Sequence, residues 1–251
     1  MKIVYILLKK TVYTVYVRRG GRSMVSEKTV MPTQAQAELA VSEQMVPLSD
    51  AMKEFRAQMH LYKAGIRTVE MKLQTLDEEF HAKYDYNPIH HIETRLKEPR
   101  SIFKKMERLG VSGTIGEMKR ALTDIAGVRV ICNYISDTKT VAEMLLRQDD
   151  VVLVRKSDYI HEPKESGYRS LHLVVTVPVY LSERMERVPV EVQIRTIAMD
   201  CWASLEHHHR YKAEGEIPED LRYRLRICAM AIAEVDTEMQ EIKRAVDRNA
   251  P

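Results

Sequence analysis

Val188-Pro189-Val190-Glu191-Val192-Gln193-Ile194-Arg195 is the stretch from which the rest of the chain can be read. Val188, Val190, Val192 and Ile194 alternate with Glu191, Gln193 and Arg195, so a strand here has one apolar face and one carrying a carboxylate, an amide and a guanidinium in line. By itself that row is explained as a solvated sheet face. A second carboxylate changes the reading. Asp124, in Asp124-Ile125-Ala126-Gly127-Val128-Arg129, immediately precedes another strand candidate. One carboxylate at a strand mouth and one on a second strand is an arrangement that holds Mg²⁺ against phosphates, because Mg²⁺ takes few protein oxygens and leaves its other positions to water and phosphate.

Outward from this pair, β-branched residues bounded by turn residues predict strands over 128–135, 151–154, 171–179 and 188–195. Helical patterns separate them. Pro99 opens one helix, with Ile102, Phe103, Met106 and Leu109 on one face and Gly110 at its end, and Asp137 caps another carrying Val141, Met144 and Leu145. The alternation predicts an α/β or α+β middle, about 88–212, with a mixed sheet covered on one side by helices. Within it lies Lys164-Glu165-Ser166-Gly167-Tyr168-Arg169-Ser170-Leu171-His172. Gly167 permits a tight turn that sets Tyr168 and Arg169 at a strand start, where a ring could face a base and cations could face phosphates, or could simply pack.

Two long amphipathic helices bracket this middle. Over 47–82, Leu48, Met52, Phe55, Met59, Tyr62, Ile66, Val69, Leu73, Leu76 and Phe80 recur in steps of four and three, a heptad seam. Gly65 lies inside it at a cost of about 1 kcal/mol relative to Ala, allowing a kink or two helices. Over 218–247 the spacing returns at Leu221, Leu225, Cys228, Ile232, Val235, Met239 and Ile242, after Pro218. A seven-residue period suits helix-on-helix packing, between subunits or between the two seams of one chain. Residues 1–45 read as an extension of unassigned role with a strand candidate at 12–17, and 46–251 as a single domain.

Composition narrows the classes. With 45% hydrophobic and 30% charged residues and only nine Gly and nine Pro, the chain is a soluble globular one, not disordered or collagen-like. Cys132, Cys201 and Cys228 are odd in number and lack any CxxC spacing, so a disulfide framework and a zinc knuckle are not expected, and a reducing cytoplasm is the natural compartment. A net charge of +3 does not mark a nucleic-acid binder, and the apolar run 3–8 is too short for a signal peptide or a membrane span. His207-His208-His209 and His90-His91 are poor chelators, since adjacent helix positions point about 100° apart. His207 is expected instead to support the cleft.

Asp124 to Arg129, the run from Tyr159 to His172, Glu191-Val192-Gln193-Ile194-Arg195-Thr196, and Ala198-Met199-Asp200-Cys201-Trp202-Ala203-Ser204-Leu205-Glu206-His207 together resemble the synthetase domain of the RelA/SpoT-type alarmone synthetases over about 48–247. The resemblance implies an α+β, nucleotidyltransferase-like (DNA polymerase β-type) fold that moves pyrophosphate from ATP to the 3′-hydroxyl of GDP or GTP, giving ppGpp or pppGpp and AMP. Long members of the family add a hydrolase domain with a His-Asp dipeptide. This chain has no such dipeptide, so a small, single-domain synthetase without hydrolase activity is expected.

Carried onto this sequence, the resemblance implies that Asp124 and Glu191 hold Mg²⁺, with Glu191 also the candidate base near the attacking hydroxyl. Tyr168 would stack on guanine, with Lys164 and His172 near the acceptor's phosphates and ribose. Arg95 and Arg129 would sandwich adenine, which suits guanidinium planes better than ammonium groups. Lys97, Ser101 and Lys105 would bind the ATP phosphates, and Gln193 and Glu206 would complete the cleft. Where the family places a basic residue before Asp158, this chain has Ser157. In a strand Arg155, and not Lys156, would share its face. A homotetramer built on the C-terminal helix is expected, with (p)ppGpp and single-stranded RNA as candidate regulators. A non-catalytic RNA-binding module and a nucleotidyltransferase acting on RNA ends or small molecules are the competing readings. The intact carboxylates argue against the first.

Overall fold

The computed structural model describes residues 34–84, 86–212 and 218–249, and the side chains among them from 50 to 209 and from 218 on. The strand expected at 12–17 lies outside the described residues. The elements are α1 (Gln34–Lys83), β1 (Ile89–Leu96), α2 (Pro99–Arg108), α3 (Ile115–Ala121), β2 (Ala126–Cys132), α4 (Ile135–Leu146), β3 (Val152–Asp158), β4 (Leu171–Tyr180), β5 (Met185–Thr196), α5 (Ile197–Lys212) and α6 (Glu219–Asn249). The strands form one mixed sheet in the order β1-β2-β5-β4-β3, with β5 at its centre. β5 runs parallel to β2 and antiparallel to β4.

The apolar row of β5 decides which face is covered. Val188, Val190, Val192 and Ile194 are fully buried, and they share one core with Val128 and Val130 of β2 and Leu171, Leu173, Val175 and Val177 of β4. The same core takes Tyr62, Ile66, Val69 and Leu73 from α1, Ile102 and Met106 from α2, Met118 from α3, and Val141 and Leu145 from α4. Helices α1 to α4 thus cover one face of the sheet, and side chains on the opposite face are left for other work.

From Tyr62 to Leu73 the seam of α1 lies on the sheet, against the expectation of helix-on-helix packing. A 3.5-residue and a 3.6-residue period diverge by only about 20° per heptad, so over the few turns in contact the two cannot be told apart from spacing. The helix is continuous through Gly65. A Cβ built there would lie 2.7 Å from Val188 Cγ1 and 3.3 Å from Val190 Cγ2, so the glycine lets α1 approach β5 closely. The helix starts at Gln34, which puts the boundary expected at 45 and 46 inside an element.

Other expectations shift for local reasons. Asp137 stands at the third position of α4 and not at its cap, where its carboxylate accepts from the Tyr134 backbone N–H at 3.0 Å. Phe103 and Leu109 are half exposed, and Phe103 stacks on Phe55 with ring centroids 5.5 Å apart. β1 and α3 were not anticipated.

On α6 the buried positions are Ala229, Asp236 and Gln240, and of the predicted seam only Leu225 and Ile232 pack inward, beside Trp202, Ala203 and Tyr168. Polar contacts fix this face: Trp202 Nε1 donates to the Leu225 carbonyl at 2.9 Å, and Gln240 Oε1 accepts from the Ser136 backbone N–H at 2.7 Å. Where β5 ends, the Thr196 hydroxyl accepts from the Met199 backbone N–H at 3.1 Å, capping α5, and donates to Asp236 Oδ2 at 2.8 Å. Burial pushes the Asp236 carboxyl above the usual range, partly offset by the Thr196 hydrogen bond and the charge of Arg169.

Two predictions follow from this packing. Gly65→Ala should destabilise the protein by about 1–3 kcal/mol through overpacking, although it improves helix propensity. Val188→Ala in the same chain should recover part of the loss, and additive effects in chemical denaturation would contradict the contact. Asp236 has a folded pKa raised above its unfolded value, so the stability it contributes is full below the unfolded pKa and lost as pH rises through the folded one. Asp236→Asn should therefore gain on the wild type from acid to neutral pH. A stability difference that stays constant across that range in thermal melts would refute the assignment.

Candidate active site

The face of the sheet turned away from the core carries the polar residues in two adjacent cross-strand rows. One runs Glu93–Arg129–Gln193–His172–Ser157 across all five strands, and the next runs Arg95–Gly127–Glu191–Val174–Arg155. The register therefore brings Arg95, Arg129, Glu191, Gln193, His172 and Arg155 onto one surface. Arg155 stands on the site face despite an irregularity after Leu153, as expected, while Lys156 pairs with the core residue Leu173. Gly127 leaves the floor between Arg95 and Glu191 without a side chain. A Cβ there would meet only the Arg95 carbonyl, at 3.5 Å.

Asp124 sits at the mouth of β2 between two cations. Lys97, at the end of β1, and Lys105, on α2, donate to its Oδ2 at 2.6 and 2.7 Å. Burial alone would raise the Asp124 carboxyl, but the two ammonium groups hold it below the usual range. Its Oδ1 is buried and has no hydrogen-bond partner among the described residues. Ser101 lies one turn before Lys105 on α2, half-buried.

Glu191 shows the same balance. Burial works to raise its pKa, whereas the hydrogen bonds and charge of His172, with the amide of Gln193, bring it below the usual range. Gln193 Nε2 donates to Oε2 at 2.9 Å, and His172 Nδ1 lies 3.5 Å from Oε1. The charge of Asp124 reaches Glu191 and opposes its ionisation, which places the two carboxylates within electrostatic range of each other.

Beyond His172 is an aromatic and basic cluster. Gly167, at φ 89°, closes a turn in which its own backbone N–H donates to the Lys164 carbonyl at 2.8 Å and the Lys164 N–H donates to the Tyr168 carbonyl at 3.1 Å, and its Cα hydrogen side abuts α6, since a Cβ would lie 2.4 Å from that of Ala229. Tyr168 Oη is 2.8 Å from His172 Nε2, and the Lys164 ammonium lies 4.9 Å from the Tyr168 ring and 4.5 Å from that of Tyr159. On the other flank, Arg129 Nη1 donates to Glu93 Oε2 at 2.9 Å and lies 3.4 Å from Asp200 Oδ1. Glu206 is half-buried on α5, one turn beyond Trp202.

Sequence reasoning gives no role to Glu93, Tyr159 or Asp200, and places Arg195 on the polar face of β5 without assigning it a partner. Arg195 continues the polar row of β5, and Asp200 lies in the motif after it, but neither spacing says which side chain each would meet.

The chain is similar to known proteins in sequence and in fold. The family described as a region found in RelA/SpoT proteins matches residues 94–216. GTP pyrophosphokinase YwaC of Bacillus subtilis is 40% identical over 203 residues, covering 81% of this chain and 97% of the relative. Among solved structures, small alarmone synthetase 1 from Bacillus subtilis bound to its product pppGpp superposes with a TM-score of 0.73 at 36% identity, covering 77% of this chain and 98% of that one. The same synthetase bound to AMPCPP gives 0.67 at 31%, covering 78% and 98%. Likeness of this extent, over sequence and a nucleotidyltransferase-like α+β fold alike, makes the chain a member of the small alarmone synthetases of the RelA/SpoT family of GTP pyrophosphokinases.

Proposed function

We propose that the chain transfers pyrophosphate from ATP to the 3′-hydroxyl of GDP or GTP, releasing AMP, and has no hydrolase activity. The observation that carries this reading is the meeting, at Glu191 and Asp124, of a cation-rich flank and an aromatic flank on one sheet face. Asp124 and Glu191 fit Mg²⁺: both are held ionised, and Asp124 keeps a buried oxygen without a hydrogen-bond partner among the described residues. When bound, the ion would neutralise charge on the ATP phosphates.

The chain's own residues do the rest. Two ammonium groups against one carboxylate leave a surplus of positive charge at Lys97 and Lys105, suited to phosphate oxygens as charge develops on them. Ser101, a turn before Lys105, adds a hydroxyl. Arg95 and Arg129, in adjacent rows, offer two guanidinium planes for adenine, with Glu206 further along α5. Tyr168 offers a ring for guanine, with Lys164, Arg155 and His172 around the acceptor's phosphates and ribose. Glu191, ionised and held by Gln193, takes the proton of the attacking hydroxyl. The cytoplasmic setting expected from the cysteines belongs to the same proposal. No described helix is long and apolar enough to cross a membrane.

Assembly as a homotetramer is part of it too. Val235, Met239, Ile242 and Val246, in steps of four, three and four, form a stripe on α6, each about half exposed, on a helix whose other face is already occupied. A stripe of that length beside a filled face suits a second copy of the helix.

Incubation of the purified protein with ATP, Mg²⁺ and either GDP or GTP should yield guanosine 3′-pyrophosphates that persist on prolonged incubation. Chelation should stop their synthesis. Glu191→Gln should lower turnover by roughly 10² to 10⁴. Absence of product with both acceptors refutes the reading, and a near-normal rate in the variant removes Glu191 from the chemistry. Light scattering should give a tetramer mass for the wild type and a smaller one for Val235→Glu with Met239→Glu. A monomeric wild type at micromolar concentration refutes the assembly.

A further inference from the structure

Arg195 takes no part in the chemistry outlined above, yet it is only 5% exposed. A buried guanidinium needs partners for its charge and its N–H groups, and here both terminal nitrogens have them while the buried Nε has no hydrogen-bond partner among the described residues. Arg195 Nη2 donates to Tyr168 Oη at 2.6 Å and to Gln193 Oε1 at 2.8 Å, and Nη1 donates to Asp200 Oδ1 at 3.1 Å. Because Arg195 can only donate, the Tyr168 hydroxyl accepts from it, and its second hydrogen-bond neighbour is His172 Nε2 at 2.8 Å. Two hydrogen bonds thus fix the phenol. The Asp200 oxygen that receives Arg195 also lies 3.4 Å from Arg129 Nη1. One carboxylate oxygen therefore holds one guanidinium from the acceptor flank and one from the donor flank, and the Ser204 hydroxyl, at 3.4 Å from its Oδ2, is its other hydrogen-bond neighbour.

We propose that Arg195 and Asp200 form a strut that joins the two nucleotide pockets, Arg195 positioning Tyr168 and Asp200 positioning Arg195 and Arg129 together. The strut rests on the assignment of Tyr168 to the acceptor and Arg129 to the donor. Its consequence is energetic coupling. A donor that immobilises Arg129 also immobilises Asp200, Arg195 and Tyr168, so the acceptor meets a pocket whose ordering cost is already met. Linkage makes the effect reciprocal. Both residues are positioning residues, acting through Tyr168 and Arg129.

The test is calorimetric titration of the full-length protein, in Mg²⁺, with AMPCPP in the absence and presence of saturating GDP. The wild type should bind AMPCPP about 5- to 10-fold more tightly when GDP is present, within the ordinary range of coupling between sites. Asp200→Asn, which keeps the size of the side chain and removes its charge, should reduce that ratio below about 2-fold. Arg195→Lys keeps the charge and loses the fork. It should reduce the ratio likewise and raise the acceptor KM about 10-fold while the ATP KM moves less than about 2-fold, a split that general loosening of the fold would not give. Thermal melts establish that each variant is folded, and if Asp200→Asn is not, Arg195→Lys decides by the same ratio. A wild type that binds both nucleotides without coupling, or a folded variant that keeps the wild-type ratio, overturns the strut alone. A wild type that binds neither nucleotide overturns the synthetase reading and the strut with it.

Discussion

The structure depends on the two-residue alternation of β5. A strand presents successive side chains to opposite faces, so the valines that α1 needs as a floor oblige Glu191, Gln193 and Arg195 to the other side. A slip of one residue would put a carboxylate and a guanidinium into the core and the valines into the cleft. The hydrophobic effect, which has no chemical preference of its own, thereby fixes which face carries the polar row. Pairing on both edges extends the constraint, since the parallel register with β2 and the antiparallel register with β4 set Arg129 and His172 on either side of Gln193.

On that face the charges are arranged so that burial does not neutralise them. Asp124 and Glu191 each lose water, which favours the protonated form, and each is returned to the ionised side by specific partners: two ammonium groups for Asp124, His172 and Gln193 for Glu191. Asp236, with one hydroxyl partner and a more distant guanidinium, is not returned. The contrast separates two carboxylates held on the ionised side by their partners from one that serves as a structural acceptor.

Four of the five strands could be read from sequence: β2, β4 and β5 present β-branched residues to a core, and β3 follows a short apolar run, Val151 to Val154, of which only Val151 is buried. β1 could not, since it lies at the sheet edge with most of its side chains exposed, and the register shift between Ile89 and His91 breaks its alternation. α3 has seven residues, too few for a period, although Thr114 accepts from the Glu117 backbone N–H at its start. The buried face of α6 was misplaced because it consists of a small residue and two polar ones, Ala229, Asp236 and Gln240, while the apolar stripe faces outward. In the site, Glu191, Asp124 and Tyr168 stood out as types suited to phosphate and base chemistry. The joint hold of Asp200 on Arg129 and Arg195 depends on where α5 leaves the sheet, and no linear pattern encodes that.

The chain order of the sheet bears on how the molecule is made. β5 is the last strand in sequence but the third in space, between β2 and β4. Before it is inserted, β1 with β2 and β3 with β4 are separate antiparallel pairs that share no ladder, each with an open edge. Their union waits on a long-range pairing, the kind that slows folding. Until then each cross-strand row of the site exists only as two ends, Glu93–Arg129 and Arg95–Gly127 on one pair and His172–Ser157 and Val174–Arg155 on the other, and Gln193 and Glu191, which join them, arrive with β5, so a nascent chain on the ribosome is inert as a catalyst until its fifth strand has emerged.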